Sequence, residues 1–284
     1  MRFLSLLVAI VWPFEAFSCF PAKDATRIAV AGGSITEIIY FLGEQSRLVA
    51  VDQTSNYPDE ALQRFPSLGY VRNLSAEGIL SLSPTLVLGE HDMGPEEILG
   101  QLDAVDIEVI RTQETHDVAG ILNKVRCVAD VIGVREKADF LVAEKLQAAV
   151  IQLAKIRDSS RESNPRVALL LAFSEGSPIV AGANTSGHGV LKMAGVDNVF
   201  SSIEGWKPVS LESMIEADPE FIVVTNRAVD AGGGLNKVKD NPAIKHTTAA
   251  RQHRVLALDG MSLLGFGPRT LDTALQLSKM TSSY

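Results

Sequence analysis

The sequence predicts an α/β protein made of two Rossmann-like lobes joined by a single long helix, with a ligand cleft between the lobes. Three observations predict it. Short apolar runs alternate with stretches of helical periodicity, the pattern of parallel sheets covered by helices. The two halves of the chain can be laid on one another at fixed offsets. Between them, Arg135 to Asp158 contains neither Gly nor Pro and keeps an apolar stripe at helical spacing.

The chain begins with an address. Arg2 is the only charge ahead of an apolar run from Phe3 to Phe14, interrupted by Ser5 and Pro13. Ala16-Phe17-Ser18 then offers small residues at −3 and −1 of a cut after Ser18, so residues 1–18 are expected to be a signal peptide. The run is shorter than the ~20 residues that a membrane-spanning helix needs. Cys19 follows the expected cut and raises lipid attachment as an alternative. Phe17, however, stands where a lipid-attachment box takes a small residue, and the expectation is an exported protein that is soluble or tethered only at its N-terminus.

Residues 26–134 are expected to form the N-terminal lobe, with strands at 27–31, 48–51, 85–88 and 107–110. Gly32-Gly33-Ser34 follows the first strand. Ser34 with Glu37 reads as a capping box opening a helix that buries Ile38, Ile39 and Leu42. Gly94-Pro95 opens a helix with Ile98, Leu99 and Leu102 on one face. From Asp117, the residues Val118, Ile121, Leu122, Val125, Val128 and Ala129 mark a helix that Gly133 stops. Cys127 sits inside that pattern as a small apolar residue, and with Cys19 in a loose tail no bridge between the two is expected. Residues 135–158 are expected to be a linking helix of ~36 Å at 1.5 Å per residue. Residues 165–284 make the C-terminal lobe, with strands at 167–171, 221–224 and 255–258. Trp206, just before Lys207-Pro208, is expected either to anchor the surface of that lobe or to cover the ligand.

Ser75-x-Glu77, Pro84 and Leu86-Val87-Leu88 match Ser210-x-Glu212, Pro219 and Phe221-Ile222-Val223 at an offset of 135. Phe41-Leu42-Gly43 matches Met193-Ala194-Gly195 at an offset of 152. Gly43 to Ser75 is 32 positions and Gly195 to Ser210 is 15, so the first lobe carries 17 extra residues, within 52–74. An insertion after the second strand falls at the carboxyl ends of the strands, where open α/β sheets bind ligands.

Composition narrows the chemistry. With 26 Lys+Arg against 34 Asp+Glu, the net charge is −8, which argues against a general nucleic-acid binder. Two cysteines exclude a multi-cysteine metal site. The chain has no GxSxG, P-loop, HExxH or complete GxGxxG motif, and the five histidines lack metal-ligand spacing, so no enzyme is indicated. Within the insertion, Tyr70 lies in Leu68-Gly69-Tyr70-Val71-Arg72. A phenolate is a hard oxygen donor suited to ferric iron, and a cation nearby helps a phenol ionise. Arg72 is placed to supply that cation. Tyr57, before Pro58, reads as loop packing.

Several segments then carry a resemblance: Ala31-Gly32-Gly33-Ser34-Ile35-Thr36-Glu37, Asp52-Gln53-Thr54-Ser55-Asn56-Tyr57-Pro58, Leu68-Gly69-Tyr70-Val71-Arg72-Asn73-Leu74-Ser75-Ala76-Glu77-Gly78 and Leu263-Leu264-Gly265-Phe266-Gly267-Pro268-Arg269. The chain resembles the HmuT-type haem-binding proteins of bacterial ABC importers, within the helical-backbone class of periplasmic binding proteins. The resemblance implies that Tyr70 is the axial ligand of haem iron and that Arg72 assists the phenolate or a propionate. It implies a propionate contact for Arg227, although Gly232-Gly233 is displaced from the family spacing. It also implies that Glu37 and Glu212 dock the protein on the arginines of an ABC permease, with an outer-membrane haem uptake system acting upstream. Some members add a second-lobe histidine, whereas this chain has Phe173-Ser174-Glu175-Gly176 there; His91 and Met93 follow the third strand, where a loop could reach the cleft. Two readings compete with haem: a carrier for another large chelate, cobalamin or an iron–siderophore, and an exported α/β enzyme using the same cleft.

Overall fold

The computed structural model describes residues 19–159, 164–174 and 176–282; the expected leader lies outside the described residues. The N-terminal lobe is a four-stranded parallel sheet of β1 (Ile28–Ala31), β2 (Leu48–Val51), β3 (Leu86–Gly89) and β4 (Glu108–Arg111), in the order β2-β1-β3-β4. Strands β1 and β3 lie at its centre and are buried along their whole length, which is why they read as unbroken apolar runs. Helices α1 (Gly33–Phe41), α2 (Ala61–Arg64), α3 (Ala76–Leu80), α4 (Glu96–Asp103) and α5 (Val118–Val131) connect and cover the strands. Asp117 caps α5 by accepting the Gly120 N–H at 2.7 Å, and Ile121, Val125 and Val128 bury its stripe.

One continuous helical run follows: α6 (Arg135–Leu141), a π-helical turn at Val142–Leu146, and α7 (Gln147–Asp158). Its residues Ala138, Val142, Leu146, Ala149 and Leu153 join a single apolar cluster that also contains Ile38 and Val128 of the first lobe and Leu191, Phe221 and Leu271 of the second. The helix therefore welds the lobes instead of merely spacing them.

The C-terminal lobe has a mixed sheet. Its parallel part is β5 (Arg166–Ser174), β9 (Phe221–Thr225) and β10 (Val255–Leu258). To these are added β6 (Ser177–Ala181), antiparallel to β5, then β8 (Trp206–Pro208), antiparallel to β6, and the two-residue β7 (Asp197–Asn198) beside β5. Its helices are α8 (Ser186–Met193), α9 (Leu211–Ala217), α10 (Asn226–Ala231), α11 (Leu235–Lys239), α12 (Thr248–Arg251), α13 (Gly260–Leu264) and α14 (Arg269–Ser282). Strands β6 and β8 escape a periodicity reading because they are short and each contains a proline, which β8 tolerates as the sheet's edge strand.

Two local expectations are overturned. The capping box is absent: α1 begins at Gly33 behind Gly32, no side chain caps it, and Ser34 lies inside its first turn. Glu37 instead reaches across to the second lobe. The second correction concerns the cysteines. Cys19 and Cys127 form a disulfide with Cα atoms 5.0 Å apart. The tail that carries Cys19 is laid against the lobe, with the Ala22 N–H donating to the Val131 carbonyl at 2.9 Å.

Candidate functional site

A cleft of about 760 Å³ opens between the lobes at the carboxyl ends of both sheets. In the first lobe the chain order reverses about β1, with β2 on one side and β3 on the other, so the loops after β1 and β3 diverge there and leave a crevice. The loop after β3 supplies Glu90, His91 and Asp92, and the 52–74 insertion supplies Thr54, Tyr70, Val71 and Arg72. Gly32 and Gly33 let these loops meet. Gly32 has φ +135°, and a Cβ there would sit 2.5 Å from the Glu90 side chain. A Cβ on Gly33 would fall 2.4 Å from the Thr54 carbonyl.

The Tyr70 loop is fixed by backbone pairing. The Leu68 N–H donates to Val51 O at 2.8 Å, Gln53 N–H to Gly69 O at 2.8 Å, and Gly94 N–H to Val71 O at 3.0 Å. Gly69 takes φ +84°, which turns the chain so that Tyr70 faces the cleft. There, Arg72 Nη1 donates to the Tyr70 hydroxyl oxygen at 2.6 Å, and Arg72 Nε donates to Asp92 Oδ2 at 2.7 Å. Burial lowers the Arg72 pKa, but Asp92 and Tyr70 outweigh it and the guanidinium is held more firmly protonated. The result is a phenol whose oxygen receives a permanent cationic donor from a side chain that a carboxylate holds in place.

The facing wall comes from the second lobe and is largely apolar: Leu171 and Phe173 of β5, Trp206 of β8, and Met261 and Leu264 of α13. Arg227, after β9, also lines it and makes no hydrogen bond or ion pair among the described residues. Tyr70, Arg72 and Arg227 are thus brought to one cleft. Trp206 is not a surface anchor: its ring turns inward, half-buried over Gly187, and lines the cleft. His91 faces the cleft, whereas Met93 is buried against Gly89, away from it.

Beneath the cleft runs a polar network that sequence reasoning missed. Lys124 of α5, 2% exposed, donates to Ser34 Oγ at 3.2 Å, to the Glu114 carboxylate, and to the Gly265 carbonyl of the second lobe at 3.1 Å. Ser34 passes the contact on, donating through its hydroxyl to Glu90 Oε1 at 2.6 Å. His116 sits 3.1 Å from Glu114 and packs its ring on Phe266 at 5.0 Å. A signal was present: Lys124 falls on the buried stripe of its helix, between Ile121 and Val128, where a lysine is not expected without partners.

A second interlobe contact disposes of Glu37 as a docking residue. Glu37 is 4% exposed; its Oε1 accepts the Arg269 N–H and its Oε2 the Arg269 Nε, both at 2.8 Å. Arg269 also stacks 3.7 Å from the Tyr57 ring centroid, which gives that loop tyrosine its packing role. Glu37 is committed inside the molecule and unavailable to a partner. Glu212 is exposed in the first turn of α9, its carboxyl held below the usual range by its own backbone N–H and Ser210.

The model of the periplasmic binding protein family matches residues 28–261. The chain belongs to that family. Among solved structures this family member is similar to the periplasmic haem-binding protein RhuT of Roseiflexus sp. RS-1, with TM-score 0.85 and 33% identity over 92% of this chain and 99% of the other. It is also similar to a periplasmic haem-binding protein of Pseudomonas aeruginosa, with TM-score 0.79 and 34% identity over 90% and 92% of the two chains. A vitamin B12-binding protein of Yersinia pestis is 30% identical over 208 residues, 72% of this chain and 71% of its own. This protein is accordingly a substrate-binding component of the ABC-importer type and not an enzyme. Among the described residues no helix is long and apolar enough to cross a membrane.

The buried network gives this binding protein a defined pH response. Burial drives Glu90 up, helped by Glu114 and opposed by Lys124 and Ser34, to about 7. Burial also pushes on Glu114, but His116 and Lys124 win and bring it down to about 2. Both carboxyls start from 4.5 in the unfolded chain. Between pH 4.5 and 7 the folded state keeps a proton on Glu90 that the unfolded state has lost, so stability falls as pH rises through that window. Between pH 4.5 and 2 the unfolded state takes up a proton that folded Glu114 refuses, so stability falls as pH drops. Within its window each of these two carboxyls contributes a slope of about 1.4 kcal/mol per pH unit, added to those of the other shifted groups. Denaturant midpoints measured from pH 2.5 to 8 check this; Glu90→Gln should flatten the upper limb, and an unchanged limb in that variant would reject the assignment.

Proposed function

We propose that this protein captures haem in the interlobe cleft through a Tyr70 phenolate–iron bond and hands it to an ABC permease. The observation that carries the reading is the Tyr70 oxygen in the cleft with Arg72 donating to it at 2.6 Å. The arginine donates a charge-assisted hydrogen bond to the phenol oxygen, and a phenolate is a ligand for ferric haem. The apolar second-lobe wall suits the porphyrin plate, and Arg227 is free to meet a propionate. Haem-binding neighbours at 33% and 34% identity support the same cargo.

Cobalamin is the second reading, favoured by the vitamin B12-binding relative. Its rim carries amides where haem carries two carboxylates, so it has less use for Arg227 and for a phenolate. Optical titration of the purified protein with ferric haem and with cobalamin in parallel tests the choice. A saturable shift of the Soret band with haem, and no spectral or calorimetric response to cobalamin, is expected; the reverse pattern would transfer the assignment to the corrinoid.

For delivery, Glu212 takes a partner in the first lobe that replaces Glu37. Ser75 caps α3 and Ser210 caps α9, and each helix carries an exposed glutamate in its first turn, Glu77 and Glu212. These two match at the offset of 135, which places one carboxylate on equivalent helices of the two lobes. They are proposed as the pair that meets permease arginines. Charges on a rim act mainly on association rate. Reversing both to lysine should slow association with permease-containing vesicles about tenfold at low salt while leaving haem affinity unchanged. Equal association rates for the two forms would remove these glutamates from the interface.

Export to the periplasm completes the proposal, with residues 1–18 as the signal peptide and a cut after Ser18.

A further inference from the structure

We propose that export leaves Cys19 joined to Cys127, which closes the Cys19 sulfur to lipid attachment and makes the mature carrier a soluble protein with its amino terminus stapled to α5. The proposal rests on the export reading above and is independent of the cargo.

The argument starts from valence. A lipid-attached cysteine holds its sulfur as a thioether, with both bonds to carbon; a disulfide uses the second bond for the other sulfur. One Cys19 cannot do both. The fold places Cys127 opposite it, with 5.0 Å between Cα atoms, inside the range that a disulfide requires. The residues that follow are held too. The Ala22 N–H donates to Val131 O at 2.9 Å, and the Lys23 N–H donates to Glu108 Oε2 at 2.7 Å. Cys19, Ala22 and Ala25 pack against the core, and β1 begins at Ile28. A lipid tether needs a loose spacer between its cysteine and the folded body; here the chain is laid on the lobe from Cys19 onward. The sequence agrees from the other side, because Phe17 occupies the position that a lipid-attachment box gives to a small residue.

The chemistry closes. Two thiols, Cys19 and Cys127, lose two protons and two electrons as the S–S bond forms. The electrons pass to a disulfide-bearing thiol oxidase of the export compartment, through a mixed disulfide, and leave that oxidase as a dithiol. A surface groove of about 440 Å³ bordered by Cys19, Phe20 and Cys127 gives such a partner access to the pair.

The test is the mass of the full-length precursor after expression in an exporting bacterial host, alkylated without reductant. The expected product begins at Cys19, is two hydrogens lighter than the dithiol, carries no alkyl group and no fatty acid, and gains two alkyl groups once reduced. Peptide mapping should join the Cys19 and Cys127 peptides. Cys127→Ser should gain one alkyl group without reduction. A processed chain carrying a diacylglyceryl mass, incorporating an alkyne-tagged fatty acid, or gaining two alkyl groups before reduction would overturn the disulfide. Retention of residues 1–18 would instead overturn export; purified protein oxidised with glutathione disulfide then decides the pairing, its joined peptide supporting it and two alkylatable thiols rejecting it.

Discussion

Tyr70→Phe is expected to abolish phenolate coordination of ferric haem and to weaken haem binding by about 100-fold or more. Changing a group that merely orients a metal ligand already costs ~10–100-fold in affinity, and here the ligand atom itself is removed. The substitution is well suited to the question. Phe keeps the ring and its packing on the core cluster that includes Val71 and Leu74, and it deletes only an oxygen that accepts a hydrogen bond from Arg72. Arg72 retains its bonds to Asp92, so the loop should stay in place. The measurement is an optical titration with thermal unfolding alongside: the Soret band and charge-transfer region change and the Kd rises, while the melting temperature stays within a degree or two. Arg72→Leu supplies the graded comparison, weakening binding by about tenfold through loss of the hydrogen bond that holds the phenol oxygen in place. If Tyr70→Phe bound ferric haem with the wild-type spectrum and affinity, tyrosinate ligation would be excluded, and the fold would remain a binding protein whose cargo meets the cleft by other contacts.

How much of this was legible in the chain depends on the range of the interaction. The parallel strands were, because a strand buried on both faces must be an apolar run; Ile28–Ala31 and Phe221–Thr225, buried throughout, fall within a residue of where the pattern puts them. A likeness between the two halves was legible at two helix ends, although only the first lobe's sheet is wholly parallel. Gly43 and Gly195, matched at an offset of 152, both take φ +69° after α1 and α8, and each supplies the left-handed turn that closes its helix. The candidate ligand Tyr70 was legible through a local motif, and the cleft does receive it. What failed were the residues whose partners lie far along the chain. Glu37 looked like half of a capping box with Ser34, yet it finds Arg269, 232 positions away. Ser34 turns to Glu90 and Lys124. Cys19 looked like a loose end, although its partner is 108 residues on. Local rules state what a side chain can do with its neighbours; they are silent on a distant group that offers a better geometry.

The largest stability effect is expected from Lys124→Met. The side chain is a buried cation holding one carboxylate, one hydroxyl and one carbonyl from two lobes. Methionine fills nearly the same space and supplies none of the donors. Removing one partner of a buried ion pair leaves the other desolvated and unpaired, at a cost of about 3–5 kcal/mol. For a domain of this size that corresponds to a fall in melting temperature on the order of 10 °C. Two controls separate charge from packing. Adding Glu114→Gln to Lys124→Met should recover much of the loss, because the orphaned carboxylate goes with its cation. The deficit should also depend on pH with a defined sign. Without Lys124, Glu90 and Glu114 are both pushed upward, so the folded state holds protons that the unfolded state releases above about 4.5, and the deficit grows as pH rises from 4.5 to 8. A packing defect alone would give the same loss at every pH and no rescue by Glu114→Gln. Because Lys124 also donates to Gly265 across the lobe boundary, the variant tests whether the floor of the cleft is held by this buried charge or by the apolar spine beside it. A variant as stable as the parent at pH 8 would give that role to the spine.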